Sequence, residues 1–429
     1  MLNLVTGECG ILDERQQPLV SVVIPAYQAA GRIRGTLDSV FAQTYPNFEV
    51  VLVNDGSPDT EALEQAIRSY GERLIYIRQE NRGPSGARNT AIRAARGKYI
   101  ACLDSDDIYL PEHLASLVPL LEKRGLDLVY SDSYHLREGV HIGRSFERQP
   151  QSPPVTFDTL LTEECAITTS AVVASRKAMI DAGLFDERYR RCEDFDLWLR
   201  MSFRGAKMDL LRQVGIEHRV LADGLSSDEV LLKQALIEVY KKVLATLPAS
   251  AKQKRTTEEL IVRTEGLCEM DLVKRYLRER HYPEARLAAG KAAALLQDRR
   301  SRRVALAVGI APWAVRHFLR MQETRLARKS KQRAGSVRQG PSGNGPTKGG
   351  NVQLQTSATI NRTGNIESGP LPLRMGGASA RERIWKWIDR IKCLFLACPR
   401  CRHVHKGKIE CGVVMAGGKV CRCQLEDPA

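Results

Sequence analysis

Asp104, Asp106 and Asp107 close an apolar run, Tyr99-Ile100-Ala101-Cys102-Leu103, and a second acidic pair, Glu193-Asp194, opens a later apolar stretch. Carboxylates packed this closely repel and raise one another's pKa, whereas a divalent cation with oxygen ligands turns the repulsion into a site. Carboxylate, spacer, carboxylate at a strand end also lets a metal bridge protein and a diphosphate. A solvated acidic turn after a strand fits the same residues, so the stretch alone leaves both readings open. Glu193 and Asp194 are equally at home as first-turn acids favoured by the helix macrodipole.

The elements that must position these groups follow from hydrophobic periodicity. Val20 to Pro25 reads as a buried strand closed by proline, and Phe48 to Val53 as a second, ending in Asn54-Asp55-Gly56-Ser57. Leu74 to Ile77, residues 98–103 and Leu126 to Tyr130 read as three more. Helical spacing over Ile33 to Ala42, Ala62 to Tyr70, Ser85 to Ala95 and residues 112–123 alternates with them. Such alternation predicts an α/β fold with a mostly parallel sheet flanked by helices, and ligands beyond the carboxyl ends of its strands. Asp55 and Asp104 both fall there. Residues 137–156, polar and Pro-rich, read as a loop, and 176–182 and 194–204 as helices. From about residue 228 the pattern is almost wholly helical. Tyr282, Ala285, Leu287, Ala288 and Ala292 suggest a hairpin, and Leu306 to Met321 forms an apolar-then-basic amphipathic segment. Residues 329–380, rich in Gly, Ser, Pro, Asn and Thr, read as a disordered linker.

The 429 residues allow two to three domains, and 43% hydrophobic content allows a sizeable core. No stretch reaches the ~18 uninterrupted apolar residues of a membrane span. Met1 to Pro18 carries Glu8, Asp13 and Glu14 and lacks the basic start and apolar run of a secretory signal. A cytoplasmic protein, peripheral to the inner face of the membrane, is the expectation. The net charge of +15 is uneven: Arg299 to Ala429 holds 26 Lys and Arg against 7 Asp and Glu, and the preceding residues hold 39 against 43. The excess therefore sits in the tail, where it can contact an anionic membrane surface, bind nothing, or, least expected, bind nucleic acid.

Five of the 11 cysteines are scattered through the first 268 residues, as in a reduced intracellular protein. The other six lie between Cys393 and Cys423. Cys398, Cys401, Cys411, Cys421 and Cys423 suit a small structural Zn²⁺ module. The closing Cys-x-Cys matches no standard ribbon, and a thiol-bearing tail palmitoylated near Cys393 is the other reading.

Four motifs, in order and in spacing, resemble family 2 glycosyltransferases of the GT-A fold over residues 19–228. They are Val20 to Asp59, Glu80-Asn-Arg-Gly-Pro-Ser-Gly-Ala-Arg-Asn-Thr-Ala91, Leu103-Asp-Ser-Asp-Asp107, and Gly183-Leu-Phe-Asp-Glu187 followed by Cys192-Glu-Asp-Phe-Asp-Leu-Trp-Leu-Arg200. The resemblance implies a non-processive, inverting transferase that moves a sugar from a nucleotide-diphospho-sugar, foremost a UDP-sugar, to a hydroxyl of a glycan or lipid-linked saccharide. It implies that Pro25, Ala26 and Tyr27 form the base pocket, and that Asp55 receives uracil or ribose hydrogen bonds. Arg88, Asp104, Ser105 and Arg219 would complete the donor site. Asp106, with Asp104, would hold Mn²⁺ or Mg²⁺, and Asp194, with Glu193 next, would be the general base. One departure stands out: where the family carries a His after its Tyr-Arg pair, this chain has Leu221, with His218 slightly earlier. The resulting plan is a GT-A domain at 19–228, a helical extension at 229–328, a linker at 329–380 and a basic Cys-rich tail at 381–429.

Two readings from other classes stay open. A catalytically degenerate GT-A protein could bind partners through the tail, although Asp55, Asp104, Asp106, Glu193 and Asp194 are all retained. A nucleotidyltransferase would need a Gly-rich basic loop after the first strand, where Pro25-Ala26-Tyr27 stands instead.

Overall fold

The structure, a computed structural model, describes residues 17–149, 151–221, 224 and 228–337, with side chains up to residue 325. Its strands are β1 (Val20–Ala26), β2 (Phe48–Asp55), β3 (Leu74–Gln79), β4 (Tyr99–Cys102), β5 (Ile108–Tyr109), β6 (Leu128–Arg137), β7 (Val140–Arg144), β8 (Val172–Ser175) and β9 (Met208–Arg219). They form one sheet in the order β3-β2-β1-β4-β8-β6-β9-β5, with β7 paired to β6. The helices interleaved with them are α1 (Ile33–Phe41), α2 (Thr60–Ile67), α3 (Gly83–Ala94), α4 (His113–Arg124), α5 (Ser145–Arg148), α6 (Phe157–Leu161), α7 (Arg176–Asp181) and α8 (Glu193–Phe203). After the sheet come α9 (Glu229–Thr246), α10 (Ala251–Glu279), α11 (Tyr282–Leu296), α12 (Arg299–Ile310) and α13 (Pro312–Val337). A second compact unit begins at Trp313, within α13. Among the described residues no helix is long and apolar enough to cross a membrane.

The α/β class is as expected, but the sheet is mixed. β3, β2, β1 and β4 run parallel, as their continuous Val/Ile/Leu runs and helical crossovers require. Past β4 the direction changes: β8 lies antiparallel to both β4 and β6, and β9 runs parallel to β6. The short β8 and the polar-interrupted β9, with Arg212-Gln213 in its middle and register shifts against β6, carry little periodicity to read from sequence. Residues 137–156, expected as a loop, instead hold β7 and α5. Glu138 and Gly139 are the two loop residues of a hairpin in which Arg137 faces Val140, and both have positive φ (50° and 77°). That is the type I′ combination, whose twist matches the flanking strands.

Two side-chain systems set where α8 begins. Trp198 and Leu197 on α8 are buried, with Trp198 edge-on to Phe185, so the helix is pinned through its apolar face. Lys242 of α9 meets Asp186 and Asp196 at 2.7 Å each, tying the first C-terminal helix to α8 and to the turn before it.

A third system fastens the turn after β4 to β9. Asp107 is wholly buried; its Oδ2 lies 3.1 Å from His218 Nδ1, and its Oδ1 accepts the Arg219 backbone N–H at 2.9 Å. Burial works against a charge on His218, but Asp107, then Asp104 and Asp106, outweigh it and raise its pKa to about 9. Protonated His218 therefore stabilises the fold in full below its unfolded pKa of about 6.5, and the contribution fades as pH rises through 9. Allowing for the 30% exposure of the His218 side chain, we expect metal-free protein to lose about 2 kcal/mol between about pH 6 and about pH 10. His218→Gln should flatten that slope in urea unfolding, and an unchanged slope would refute the assignment.

Candidate active site

Arg88 is the centre of the site. It lies on α3 and is 5% exposed, with its guanidinium edge-shared between two acids. Nη1 donates to Glu193 Oε1 at 2.7 Å, and Nη2 donates to Asp104 Oδ1 at 2.6 Å. Asp104, two residues past β4, and Glu193, the first residue of α8, are thus bound to one cation. Burial opposes the charge on Arg88, yet Asp104 and Glu193 more than offset it and raise its pKa. Burial raises the pKa of Glu193 even against the opposing Arg88 charge. The sequence reading places Arg88 in the donor site. The structure places it more than a turn inside α3, with both terminal nitrogens engaged.

Neighbouring contacts fix this bridge. Asn89 accepts the Phe185 backbone N–H at 2.9 Å, and its Nδ2 donates to the Phe185 carbonyl at 2.8 Å and to Glu187 at 3.1 Å. Ser85 Oγ donates to the Tyr189 carbonyl at 3.0 Å. The Glu80–Ala91 and Gly183–Glu187 motifs are therefore two halves of one lock that sets α3 against the approach to α8.

Asp194, half-buried, has a different environment from Glu193. Its Oδ2 accepts Thr169 Oγ1–H at 2.6 Å and its Oδ1 accepts the Phe195 backbone N–H at 2.7 Å. Next to Thr169, Ser170 Oγ accepts the Asp104 backbone N–H at 3.1 Å. Thr169 and Ser170 form the short turn that leads into β8. Because β8 is antiparallel to β4, its beginning stands beside the end of β4. These two hydroxyls were missed from sequence. The run Thr168-Thr169-Ser170 directly before the apolar Ala171-Val172-Val173 was their signal.

Asp106 is half-buried, and its pKa is pushed up to about 6 by burial first and then by Asp107 and Asp104. Like-charge repulsion of this kind is what an added cation relieves. Asp107 is occupied by His218 and Arg219, and one Asp104 oxygen by Arg88. Among the described residues no group of three or more His, Cys, Asp or Glu side chains is placed to hold a metal. One or two carboxylates, completed by substrate phosphates and water, suit Mg²⁺ or Mn²⁺. His218, turned toward Asp107, supports the acidic turn rather than adding a ligand to it.

The far end of the site is built by the first two strands. Asp55, 3% exposed at the end of β2, accepts Gln79 Nε2–H at 2.6 Å and the Arg82 backbone N–H at 2.9 Å through Oδ1. Gly56 follows with φ 62°, and a Cβ there would stand 2.6 Å from the Asn81 backbone nitrogen. Asp59, at the N-cap position of α2, makes no side-chain capping bond there. It accepts the Ala30 N–H at 3.0 Å and the Ser57 hydroxyl, while Ser57 Oγ accepts the Gln28 N–H at 2.7 Å. Pro25 is half-buried and Ala26 buried in β1, leaving Tyr27 with 50% exposure beside this clasp. The Ser105 carbonyl accepts Thr36 Oγ1–H from α1 at 3.0 Å, and Arg219 ends β9 with its side chain toward Gly35 of α1. Cys398, Cys401, Cys411, Cys421 and Cys423 lie outside the described residues.

Residues 21–180 match the family model "Glycosyl transferase family 2". An uncharacterized glycosyltransferase of Rickettsia bellii is 30% identical over 296 residues, 66% of this chain but only 40% of that relative's length. The Escherichia coli protein WfaP, named UDP-Glc:alpha-D-GlcNAc-diphosphoundecaprenol beta-1,3-glucosyltransferase, is 30% identical over 212 residues, 49% of this chain and 81% of WfaP. Residues 1–349 of S. aureus TarS, solved in complex with UDP-GlcNAc, superpose with a TM-score of 0.50 at 18% identity, covering 74% of this chain and 92% of that one. At that identity the likeness shows the fold alone, which is of the GT-A kind. The family match, the E. coli relative and the ordered motifs together make this chain a member of glycosyl transferase family 2.

Proposed function

We propose that the chain is a non-processive, inverting glycosyltransferase that moves a sugar from a nucleotide-diphospho-sugar, foremost a UDP-sugar, to a hydroxyl of a glycan or lipid-linked saccharide. The observation that carries this reading is the Arg88 bridge, which holds a strand-end carboxylate and a helix-start carboxylate in one site. The name of the E. coli relative, with a UDP-sugar donor, a diphospholipid-linked acceptor and a β linkage, supports the same choice of substrates.

The chemistry is one displacement. The acceptor oxygen forms a bond to the anomeric carbon as the bond from that carbon to the donor phosphate oxygen breaks, and the nucleoside diphosphate departs with the electron pair. Asp194 takes the acceptor proton. It suits that task better than Glu193, since it is half-exposed and held by neutral donors, Thr169 and a backbone N–H, whereas Glu193 is buried on Arg88. Glu193 acts through Arg88, as a positioning residue. Asp106, with Asp104, would hold Mg²⁺ or Mn²⁺, which when bound offsets the negative charge of the leaving diphosphate. Tyr27 offers an open aromatic face to the nucleoside, and Asp55 shapes the pocket floor through Gln79 and Arg82.

Asp194→Asn keeps the hydrogen-bonding shape and removes the base. Transfer should fall by about 10²–10⁴-fold while UDP affinity, read by calorimetry, stays within error of wild type. Wild-type turnover in that variant would remove Asp194 from the mechanism. Asp106→Ala should abolish both metal-dependent donor hydrolysis and transfer. A variant that still shows Mn²⁺-dependent thermal stabilisation by UDP-sugar would show that the cation is held elsewhere.

A further inference from the structure

Away from the site, α12 carries a face that neither the core nor the chemistry uses. Ser301, Val304, Ala307 and Val308 are buried, whereas Arg299, Arg302, Arg303, Leu306 and Ile310 are exposed. At 3.6 residues per turn those five residues fall on one side of the helix. Leu306 and Ile310 are 64% and 65% exposed, one turn apart. Single exposed leucines are ordinary, but two on one face, next to three arginines and with no acidic residue between Arg299 and Ile310, are not. Leu287, 63% exposed, lies on α11, the helix packed against α12, at a similar distance from the short link between the two.

We infer that this face of α12 docks on the surface of an anionic lipid bilayer. Leu306 and Ile310 enter the boundary between headgroups and acyl chains, and Arg299, Arg302 and Arg303 meet lipid phosphates. The division of the face into an arginine end and an apolar end matches the two layers of a membrane interface. At about 18 Å the helix is far too short to span a bilayer, so it docks at an incline, its apolar end deeper than its arginine end. This surface is distinct from the Cys-rich tail, and the inference does not depend on the transfer chemistry.

Flotation of the full chain with phosphatidylcholine vesicles, and with mixed phosphatidylcholine–phosphatidylglycerol vesicles, tests it. Wild type should float with the mixed vesicles, less so as salt rises, and stay behind with pure phosphatidylcholine. Arg302→Gln with Arg303→Gln should weaken partition into mixed vesicles by roughly tenfold or more. Leu306→Asp with Ile310→Asp should do the same, with an unchanged circular dichroism spectrum. Undiminished flotation of both double variants would assign membrane binding to the tail and overturn the inference. So would wild type that ignores vesicles but forms a dimer broken by Leu306→Asp with Ile310→Asp.

Discussion

A guanidinium that is almost wholly removed from water needs its charge compensated by close carboxylates, and Arg88 has two. Breaking such a pair by removing one partner costs about 3–5 kcal/mol, because the other is left charged and buried. Removing Glu193 would therefore leave Asp104 alone on Arg88 and break the ion pair between α3 and α8, whereas removing Asp104 would release the turn after β4 from α3. Much of the surrounding sequence serves that one arrangement. The Asn89 and Ser85 contacts to residues 185–189 hold the approach to α8, and Trp198 pins the helix from behind. Lys242 draws α9 onto the same corner.

The change of sheet direction after β4 serves the same end. A wholly parallel sheet would gather only strand ends at this edge. Turning β8 around brings a strand beginning beside the end of β4, and with it Thr169 and Ser170, one hydroxyl for each side of the site. The acidic turn at 104–107 is then held from three directions: Arg88 on Asp104, Thr36 on the Ser105 carbonyl, and β9 on Asp107. Asp106, the remaining carboxylate of the turn, is half-buried, with its pKa raised by burial and then by Asp107 and Asp104.

The parallel half of the fold was legible because its strands are continuous runs such as Val20–Pro25 and Phe48–Val53, each followed by a helix of clear period. β8 and β9 were not, since four residues carry no period and bulges break the register of the longer strand. The β7 hairpin was hidden behind Pro-rich polar composition, although Glu138-Gly139 held the turn that makes it. Residue types at the site were legible, but their pairing was not. Nothing in the spacing of Arg88, Asp104 and Glu193 says that one residue binds the other two. Likewise Asp107 reads as a third member of an acidic cluster, while in space it belongs to His218.

The β6–β7 hairpin has a further consequence. Its base is anchored, with His135 edge-on to His218 and Asp132 bound to Arg144, but its tip at Glu138-Gly139 contributes nothing to the core. Lengthening a loop raises its closure entropy only logarithmically. Residues can therefore accumulate at this tip during descent at little cost to folding, while the carboxylates below keep their places. Such a projection is where lineages sharing one reaction can diverge in what they recognise.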